Sequence, residues 1–433
     1  MMQKVNVFWF RRDLRLDDNT GLYNALIENL PVLPIFIFDS EILDKLPKND
    51  SRVNFIHDTI SNINQQLKKH NSCIAIYHGK PLEIFENLIE KFEIENVFTN
   101  RDYEPYATER DLTTSNFLSA KNIDFKTFKD QVIFEKSEVV KNDGDPYVVY
   151  TPFSRKWLEH FKPEDTLPYK SENLLDNCIK DTSLPFLSLS DIGFNSSDIK
   201  VADYDVDADL IDAYEATRNF PAHDETSRVG PHLRFGTISI RKLVDKASKR
   251  ENITYLKELI WREFFMQILW HFPHTSTKSF KPQYDRIEWR NNEAEFKKWC
   301  EGNTGYPLVD AGMRQLNETG FMHNRIRMLV GSFLCKHLLI DWRWGEAYFA
   351  EKLHDYEMAS NVGNWQWVAG CGVDAAPYFR IFNPTTQIDK FDKDHKYINK
   401  WVKNLNSLEY PSEMVDHKMA RERCLKVYKA AVS

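Results

Sequence analysis

The chain begins with VNVFWF at positions 5–10, a short apolar run of β-branched and aromatic residues. Runs of the same kind follow at 32–38 (VLPIFIF), 73–79 (CIAIYHG) and 95–100 (ENVFTN). Between them, apolar residues recur with the period of a helix at 20–30, 52–70 and 81–92. Strands that alternate with helices in this way predict a parallel sheet, and DFKTFKDQVIF at 124–134 is predicted as its fifth strand.

The second half of the chain has a different pattern. The periodicity fades between 135 and 200, where Pro, Asp, Asn and Ser cluster, and long aromatic helical runs follow from about 203 onwards. A length of 433 residues also exceeds what one domain usually holds. The sequence therefore predicts a Rossmann-like α/β domain over 1–130, an interdomain linker over 131–202 and an all-α domain over 203–433.

Composition excludes several classes of protein. A hydrophobic share of 42% with 28% charged residues is typical of a globular protein with large cores. The six cysteines form no CxxC pair, so we expect reduced thiols and no metal site. No apolar run has the length of a membrane span and none resembles a signal peptide, which predicts a cytoplasmic protein. The net charge of −7 means that any nucleic-acid binding requires a local basic surface.

Three segments carry candidate binding chemistry. DETSRVGPHLRFGTIS (224–239) places hydroxyls and an arginine before a helical run, which suits either an anion site or simple N-capping. KELIWREFFMQ (257–267) places Glu258, Trp261 and Arg262 on one helix face. This face is either a binding surface for a flat polar ligand or a core tryptophan beside an ion pair. GFMHNRIRMLVGS (320–332) is either an arginine-rich binding helix or a solvated basic face. No nucleophile–base set or P-loop motif is present, so an enzyme of this sequence would depend on a cofactor.

Taken together, these segments resemble the photolyase–cryptochrome family. The likeness extends from FWFRRDLRLDDNTGL through LKELIWREFF, TGYPLVDAGMRQL and MHNRIRM to NWQWVAGCGVDAAPYFRIFNP, and it is closest to class I cyclobutane pyrimidine dimer photolyases. It implies an N-terminal α/β domain, a long linker and a helical C-terminal domain that binds FAD. It also implies light-driven DNA repair, in which excited reduced FAD lends an electron to a flipped-out dimer, and a monomer that binds UV-damaged DNA.

The resemblance implies roles for particular residues. Trp365 would begin an electron relay through Trp342 to Trp289, while Asn361 would face the reactive flavin nitrogen and Glu258 would hydrogen-bond the dimer. The implied FAD-binding residues are Tyr214, Thr226, Ser227, Arg228, Val229, Gly230, Tyr255, Arg262, Asn324, Arg327, Asp355, Tyr356, Glu357 and Asn361. The implied substrate and DNA contacts are Arg218, Glu258, Trp261, Arg325, Met328, Trp367 and Gln387, with Asn324 at a further DNA-contact position.

The chain departs from the family pattern at several positions. Gly230, Tyr255 and Glu357 stand where Ser, Trp and Asp are common, which changes individual contacts to FAD. Folate-binding members carry Asn-Glu where this chain has Tyr106 and Ala107. The identity of a second, antenna chromophore therefore stays open: it is a deazaflavin or a flavin, or the protein has none.

Three other functions share much of this resemblance. A cryptochrome-type photoreceptor has the same fold without repair, but such proteins often carry long C-terminal tails and this chain ends soon after YPSEMVDHKMARERCLKVYKAAVS. Enzymes that repair (6-4) photoproducts use two histidines where this chain has Asn324 and Met328. A flavin electron-transfer or DNA-binding module without repair is the third alternative.

Overall fold

A computed structural model describes residues 2–433, and its first part is built on one five-stranded sheet. All neighbouring strands pair in parallel, in the order β3-β2-β1-β4-β5. This confirms the predicted parallel five-stranded sheet. The strands are β1 Gln3–Phe10, β2 Val32–Asp39, β3 Ala75–Gly79, β4 Phe92–Asn100 and β5 Asp124–Phe128.

Both faces of the sheet are buried, which explains the unbroken apolar runs of the strands. Side chains alternate between the faces along a strand. Phe8 and Phe10 of β1 therefore pack in one apolar cluster, while Val7 and Trp9 pack in another. Helices on the two faces of a parallel sheet require this arrangement.

The remaining regular elements are helices. They are α1 Thr20–Leu26, α2 Ser40–Leu43, α3 Ser51–Lys68, α4 Pro81–Ile89, α5 Pro105–Ser119, α6 Tyr150–His160, α7 Ala208–Thr217, α8 Gly230–Phe235, α9 Ile240–Ser248, α10 Thr254–His271, α11 Glu293–Glu301, α12 Pro307–Thr319, α13 Asn324–Ser332, α14 Trp342–Lys352, α15 Met358–Ala369, α16 Pro384–Phe391, α17 Lys396–Trp401 and α18 His417–Val432. A π-helix, Phe333–Leu338, directly follows α13.

The structure differs from the sequence prediction in three places. The fifth strand ends at Phe128, well before position 134. Helix α5 was not predicted, because its apolar residues follow no clear helical stripe and only Pro105 at its first turn marks its start. One of the long helical runs predicted after position 203 is interrupted after the π-helix, where Leu339 adopts a left-handed conformation with φ of 54°.

The chain folds as two compact units that each use separate segments. The first contains the sheet and comprises Met1–Glu135, His160–Tyr204 and Val229–Lys249. The second is mostly helical and comprises Lys136–Glu159, Asp205–Arg228 and Arg250–Ser433. Within residues 2–433, no helix combines the length and the hydropathy needed to cross a membrane.

Candidate active site

Three helices of the second unit bring nine of the predicted site residues to one recess. Helix α10 contributes Glu258, Trp261 and Arg262, which lie three and four residues apart and so share one face. Helices α13 and α15 contribute residues from the other sides. Two cavities of about 90 and 360 Å³ share the lining residues Asn324, Met328, Ser360, Asn364 and Trp367, so they adjoin.

The smaller cavity lies against Trp365. Arg327 forms a bidentate ion pair with Asp355 on its wall, with N–O distances of 2.8 and 3.1 Å. The Asn361 side-chain amide donates to the Glu346 carboxylate over 2.9 Å, which fixes the amide in place. Burial raises the pKa of Glu346, although its hydrogen bond with Asn361 opposes that change. The full lining is Asn324, Arg327, Met328, Gly331, Phe349, Leu353, Asp355, Tyr356, Glu357, Ser360, Asn361, Asn364, Trp365, Trp367 and Val368.

The larger cavity is lined by two indoles, by both members of one ion pair and by one member of a second. Arg218 pairs with Glu258, and Arg262 pairs with Glu357 over 3.0 Å. These pairs neutralise charge at the wall without removing its hydrogen-bonding atoms. The full lining is Arg218, Glu258, Trp261, Arg262, Phe265, Asn324, Met328, Ser360, Asn364 and Trp367.

Tyr214 and Tyr255 pack beside this recess. Their rings meet edge to face with centroids 5.1 Å apart, and the Arg218 guanidinium lies 5.4 Å from the centre of Tyr214. Burial raises the pKa of Tyr255 to about 12, so its phenol stays protonated at neutral pH. Tyr255 is therefore a neutral group beside Tyr214, and Tyr214 in turn lies next to Arg218.

Other predicted FAD contacts do not line these two cavities. Arg228 has φ of 54°, pairs with Asp224 over 2.7 Å and lies 3.5 Å from the ring centre of Phe321. Thr226 and Ser227 precede it in the same segment. Val229 and Gly230 belong to the first unit, where Gly230 begins α8. Gln387 lies on α16, also outside the lining.

His323 acts as a helix cap. It is 3% exposed, and its Nδ1 accepts the backbone N–H of Arg325 at the start of α13. Burial, together with Arg327, Arg325 and Arg228, lowers its pKa to about 4, so the imidazole is neutral at pH 7. This histidine therefore begins the helix that carries Asn324 and Met328, and it does not serve as an acid near neutral pH.

Arg380 lies near the recess, close to Trp367, and the sequence analysis did not identify it. Its guanidinium lies 6.0 Å from the ring centre of Trp367 and 5.5 Å from that of Phe382. Burial and the nearby charges of Arg218 and Arg380 lower the pKa of Arg325, which shows that the three arginines lie in one neighbourhood. The only sequence signal was an arginine between aromatic residues in YFRIFNP.

The three tryptophans of the predicted relay belong to one packed region. Trp365 and Trp342 are buried in the same apolar cluster, and Trp289 packs against that cluster while half-buried. Trp299, which was not predicted, meets Trp365 edge to face with centroids 6.2 Å apart. One apolar cluster therefore contains Trp365 and Trp342 and contacts the half-buried Trp289.

Comparisons with known proteins identify the family of this chain. Residues 6–171 match the family model described as DNA photolyase, and residues 255–409 match the FAD binding domain of DNA photolyase. The chain is 36% identical to a deoxyribodipyrimidine photo-lyase of Halobacterium salinarum over 99% of both chains. It is 37% identical to one of Agrobacterium fabrum, over 98% of this chain and 97% of the relative.

Solved structures give the same result. A class III photolyase from Agrobacterium tumefaciens has a TM-score of 0.89 and 34% identity, over 100% of this chain and 98% of its own. An archaeal photolyase from Sulfolobus tokodaii, solved with two FAD molecules, has a TM-score of 0.82 and 32% identity, over 99% and 100% of the two chains. This chain therefore belongs to the DNA photolyase family of enzymes, and its helical part is that family's FAD-binding domain.

Proposed function

We propose that this protein repairs cyclobutane pyrimidine dimers in DNA by a light-dependent reaction that uses reduced FAD. The observation that carries the proposal is the pair of adjoining cavities, one against Trp365 and the other lined by Trp261, Trp367 and Glu258. A cofactor and an extruded lesion in these cavities would lie next to each other. The full-length relatives named deoxyribodipyrimidine photo-lyase support the same reaction.

The chemistry of the smaller cavity fits a flavin. Its wall combines apolar side chains such as Met328 and Leu353 with the amides of Asn324 and Asn361. Its charged residues include Arg327 and Asp355, which neutralise each other. The chemistry of this wall suits a nearly neutral ring with one polar edge.

The residues of this wall would hold the cofactor and fix its orientation. When bound, reduced FAD supplies the light-driven electron that opens the cyclobutane ring and that returns afterwards, so the reaction has no net redox change. The ion pairs of Arg327 with Asp355 and Arg262 with Glu357 present hydrogen-bonding atoms to the polar edge of a ring. Asn361, held by Glu346, offers a fixed amide.

The larger cavity has the groups that a flipped-out dimer requires. Extruding a base from the duplex normally costs a few kcal/mol, and the cost is lower for a damaged and poorly stacked base. Stacking on an indole returns about 1–3 kcal/mol per base. The Glu258 carboxylate accepts hydrogen bonds and so would bind an imide N–H of a pyrimidine, while its ion pair with Arg218 orients it.

An arginine-rich rim would bind the DNA backbone. Arg218 lines the larger cavity, and Arg325 and Arg380 lie in the same neighbourhood. Phosphate contacts supply affinity that is independent of sequence and falls steeply with salt. A local rim of this kind is compatible with DNA binding by a chain whose net charge is −7.

The tryptophans would serve cofactor reduction and not repair itself. Trp365 borders the smaller cavity, and the same aromatic cluster contains Trp342 and contacts Trp289. Indoles can carry an electron hole, so this cluster offers a route between the cavity and the surface. We expect Trp342→Phe to slow photoreduction of the oxidised protein at least tenfold while repair by chemically reduced protein stays within twofold.

One assay tests the proposed function directly. Purified protein containing FAD is chemically reduced, mixed with an oligonucleotide that carries one thymine dimer, and kept either in blue light or in darkness. Repair in light only, with no change in a matched (6-4) photoproduct oligonucleotide, is the expected result. Photoreduction without any repair would indicate a photoreceptor, and repair of the (6-4) lesion alone would indicate the other enzyme class.

A further inference from the structure

Tyr150, the first residue of α6, stacks on a tryptophan of the larger cavity. The rings of Tyr150 and Trp261 lie 3.6 Å apart between centroids, and their planes differ by 6°. A centroid distance this short between nearly parallel rings means that the two rings overlap almost completely, face to face. Such a contact fixes both the position and the plane of the indole.

Both ends of Tyr150 are held. Its hydroxyl donates to the backbone oxygen of Lys257, one helical turn before Trp261, over 2.8 Å. Its backbone N–H donates to the Asp374 carboxylate over 3.2 Å, and Asp374 has a strained φ of 44°. Burial raises the pKa of Tyr150 far above neutrality, so the phenol remains a hydrogen-bond donor. The tyrosine ring is therefore fixed independently of any ligand.

Tyr150 covers one face of the Trp261 ring without forming part of the cavity lining itself. Trp261 belongs to the cavity lining and Tyr150 does not. Without Tyr150, one face of the half-buried indole would be open and the side chain would gain freedom to rotate. A fixed platform loses less conformational entropy when a base stacks on it.

We propose that Tyr150 is a positioning residue that acts through Trp261 and holds the indole plane for stacking of a pyrimidine dimer. The inference rests on the proposed function. It assigns to Tyr150 a role in recognition of the lesion, separate from FAD binding and from contacts to the DNA backbone. Its effect must therefore depend on the presence of Trp261.

The test uses full-length protein containing FAD and compares three substitutions. Tyr150→Leu and Tyr150→Gln both remove the ring, and Tyr150→Phe keeps it. Because Tyr150 is only half-buried, a second ring-removing variant is available if the first loses FAD. We expect Tyr150→Leu and Tyr150→Gln to weaken binding of an oligonucleotide with one thymine dimer about tenfold. FAD content, thermal stability and affinity for undamaged DNA should change little, and Tyr150→Phe should stay within threefold of the parent protein.

A double-mutant cycle separates positioning from a general structural role. In a Trp261→Ala background, Tyr150→Leu should change dimer affinity less than twofold. An equal tenfold loss in that background, or equal losses for damaged and undamaged DNA, would overturn the inference. If the parent protein repairs dimers and Tyr150→Leu binds them normally, only this inference fails. If the parent protein neither discriminates nor repairs dimers, the proposed function fails as well.

Discussion

The first unit places arginines against Asp130, and the second places an arginine against Glu258, but the two groups differ in exposure. The side chains of Asp130 and Arg241 are 1% and 5% exposed, whereas those of Glu258 and Arg218 are 32% and 29% exposed. Asp130 is fully occupied by protein donors, while Glu258 borders an open cavity. A cluster of charged residues can therefore be fully hydrogen-bonded within the fold, or it can form a binding surface. The open cavity beside Glu258 distinguishes the second case from the first.

The buried group around Asp130 shows what the motif RRDLRLDDNTG near the N-terminus does in the fold. Arg15 donates to Asp130 over 2.6 Å, and Arg241 bridges Asp130 and Asp18. Asp130 also accepts the backbone N–H of Thr20 over 3.1 Å at the start of α1. These residues tie the loop after β1 to α1 and α9, so this part of the family motif has a structural role here.

The largest expected effect comes from breaking the buried group. Asp130→Asn leaves buried Arg15 without this carboxylate and Arg241 with Asp18 alone, and we expect it to lower the free energy of unfolding by about 3–5 kcal/mol. Chemical unfolding followed by circular dichroism measures this change. Asp17→Asn is the matched control, because Asp17 pairs with Lys242 on the surface and should cost at most about 1 kcal/mol. Equal losses in the two variants would contradict the contrast between buried and exposed pairs.

The same group predicts a dependence of stability on pH. Burial raises the pKa of Asp130, but Arg15 and Arg241 outweigh it and hold the pKa at about 2. Because the folded-state pKa is below the unfolded value, the stabilisation is complete above about pH 5 and is lost as the pH falls toward 2. Its size is about 2–3 kcal/mol. The difference in stability between parent protein and Asp130→Asn should therefore shrink in acid, and a constant difference from pH 6 to pH 2 would contradict this assignment.

The corresponding substitution in the recess should affect repair more than folding. Glu258→Gln removes the charge that Arg218 holds, and we expect at most about 1 kcal/mol of lost stability because the pair is partly exposed. A hydrogen bond to a charged group contributes about 1.5–3 kcal/mol. The rate of repair at limiting dimer DNA, measured with equal amounts of bound FAD, should therefore fall about 10- to 100-fold. A parallel loss of FAD or of stability would indicate that Glu258 is structural.

The indoles of the recess should have a comparable but more selective effect. Trp367→Ala removes a stacking surface, and we expect about 1–3 kcal/mol of lost affinity for dimer DNA, which is roughly 5- to 150-fold. Titration of labelled oligonucleotides with and without a dimer measures it. Trp367→Phe keeps a ring and serves as the control, with affinity expected near that of the parent protein. An equal loss of affinity for undamaged DNA would show that Trp367 supports binding of the DNA backbone by the rim and not binding of the lesion.

Sequence patterns predicted the sheet well, because strands buried on both faces leave continuous apolar runs that are easy to find. They also identified the face of α10 with Glu258, Trp261 and Arg262, since helical spacing alone determines which residues share a face. They could not identify Tyr150 or Arg380, which lie far from that helix along the chain. Both residues meet the recess only through tertiary contacts with indoles, at 3.6 Å for Tyr150 and 6.0 Å for Arg380.

Arg380 gives the smallest effect and the clearest test of the rim. Arg380→Ala should lower the affinity for damaged and undamaged DNA alike, by about threefold to tenfold near physiological salt. If its guanidinium contacts one phosphate, the slope of log affinity against log salt should fall by about 1. Arg286→Ala is the matched control, because Arg286 is an exposed arginine of the same unit that lines neither cavity. A loss confined to dimer DNA, with an unchanged salt slope, would instead mean that Arg380 acts by packing against Trp367, which would assign the rim to lesion recognition.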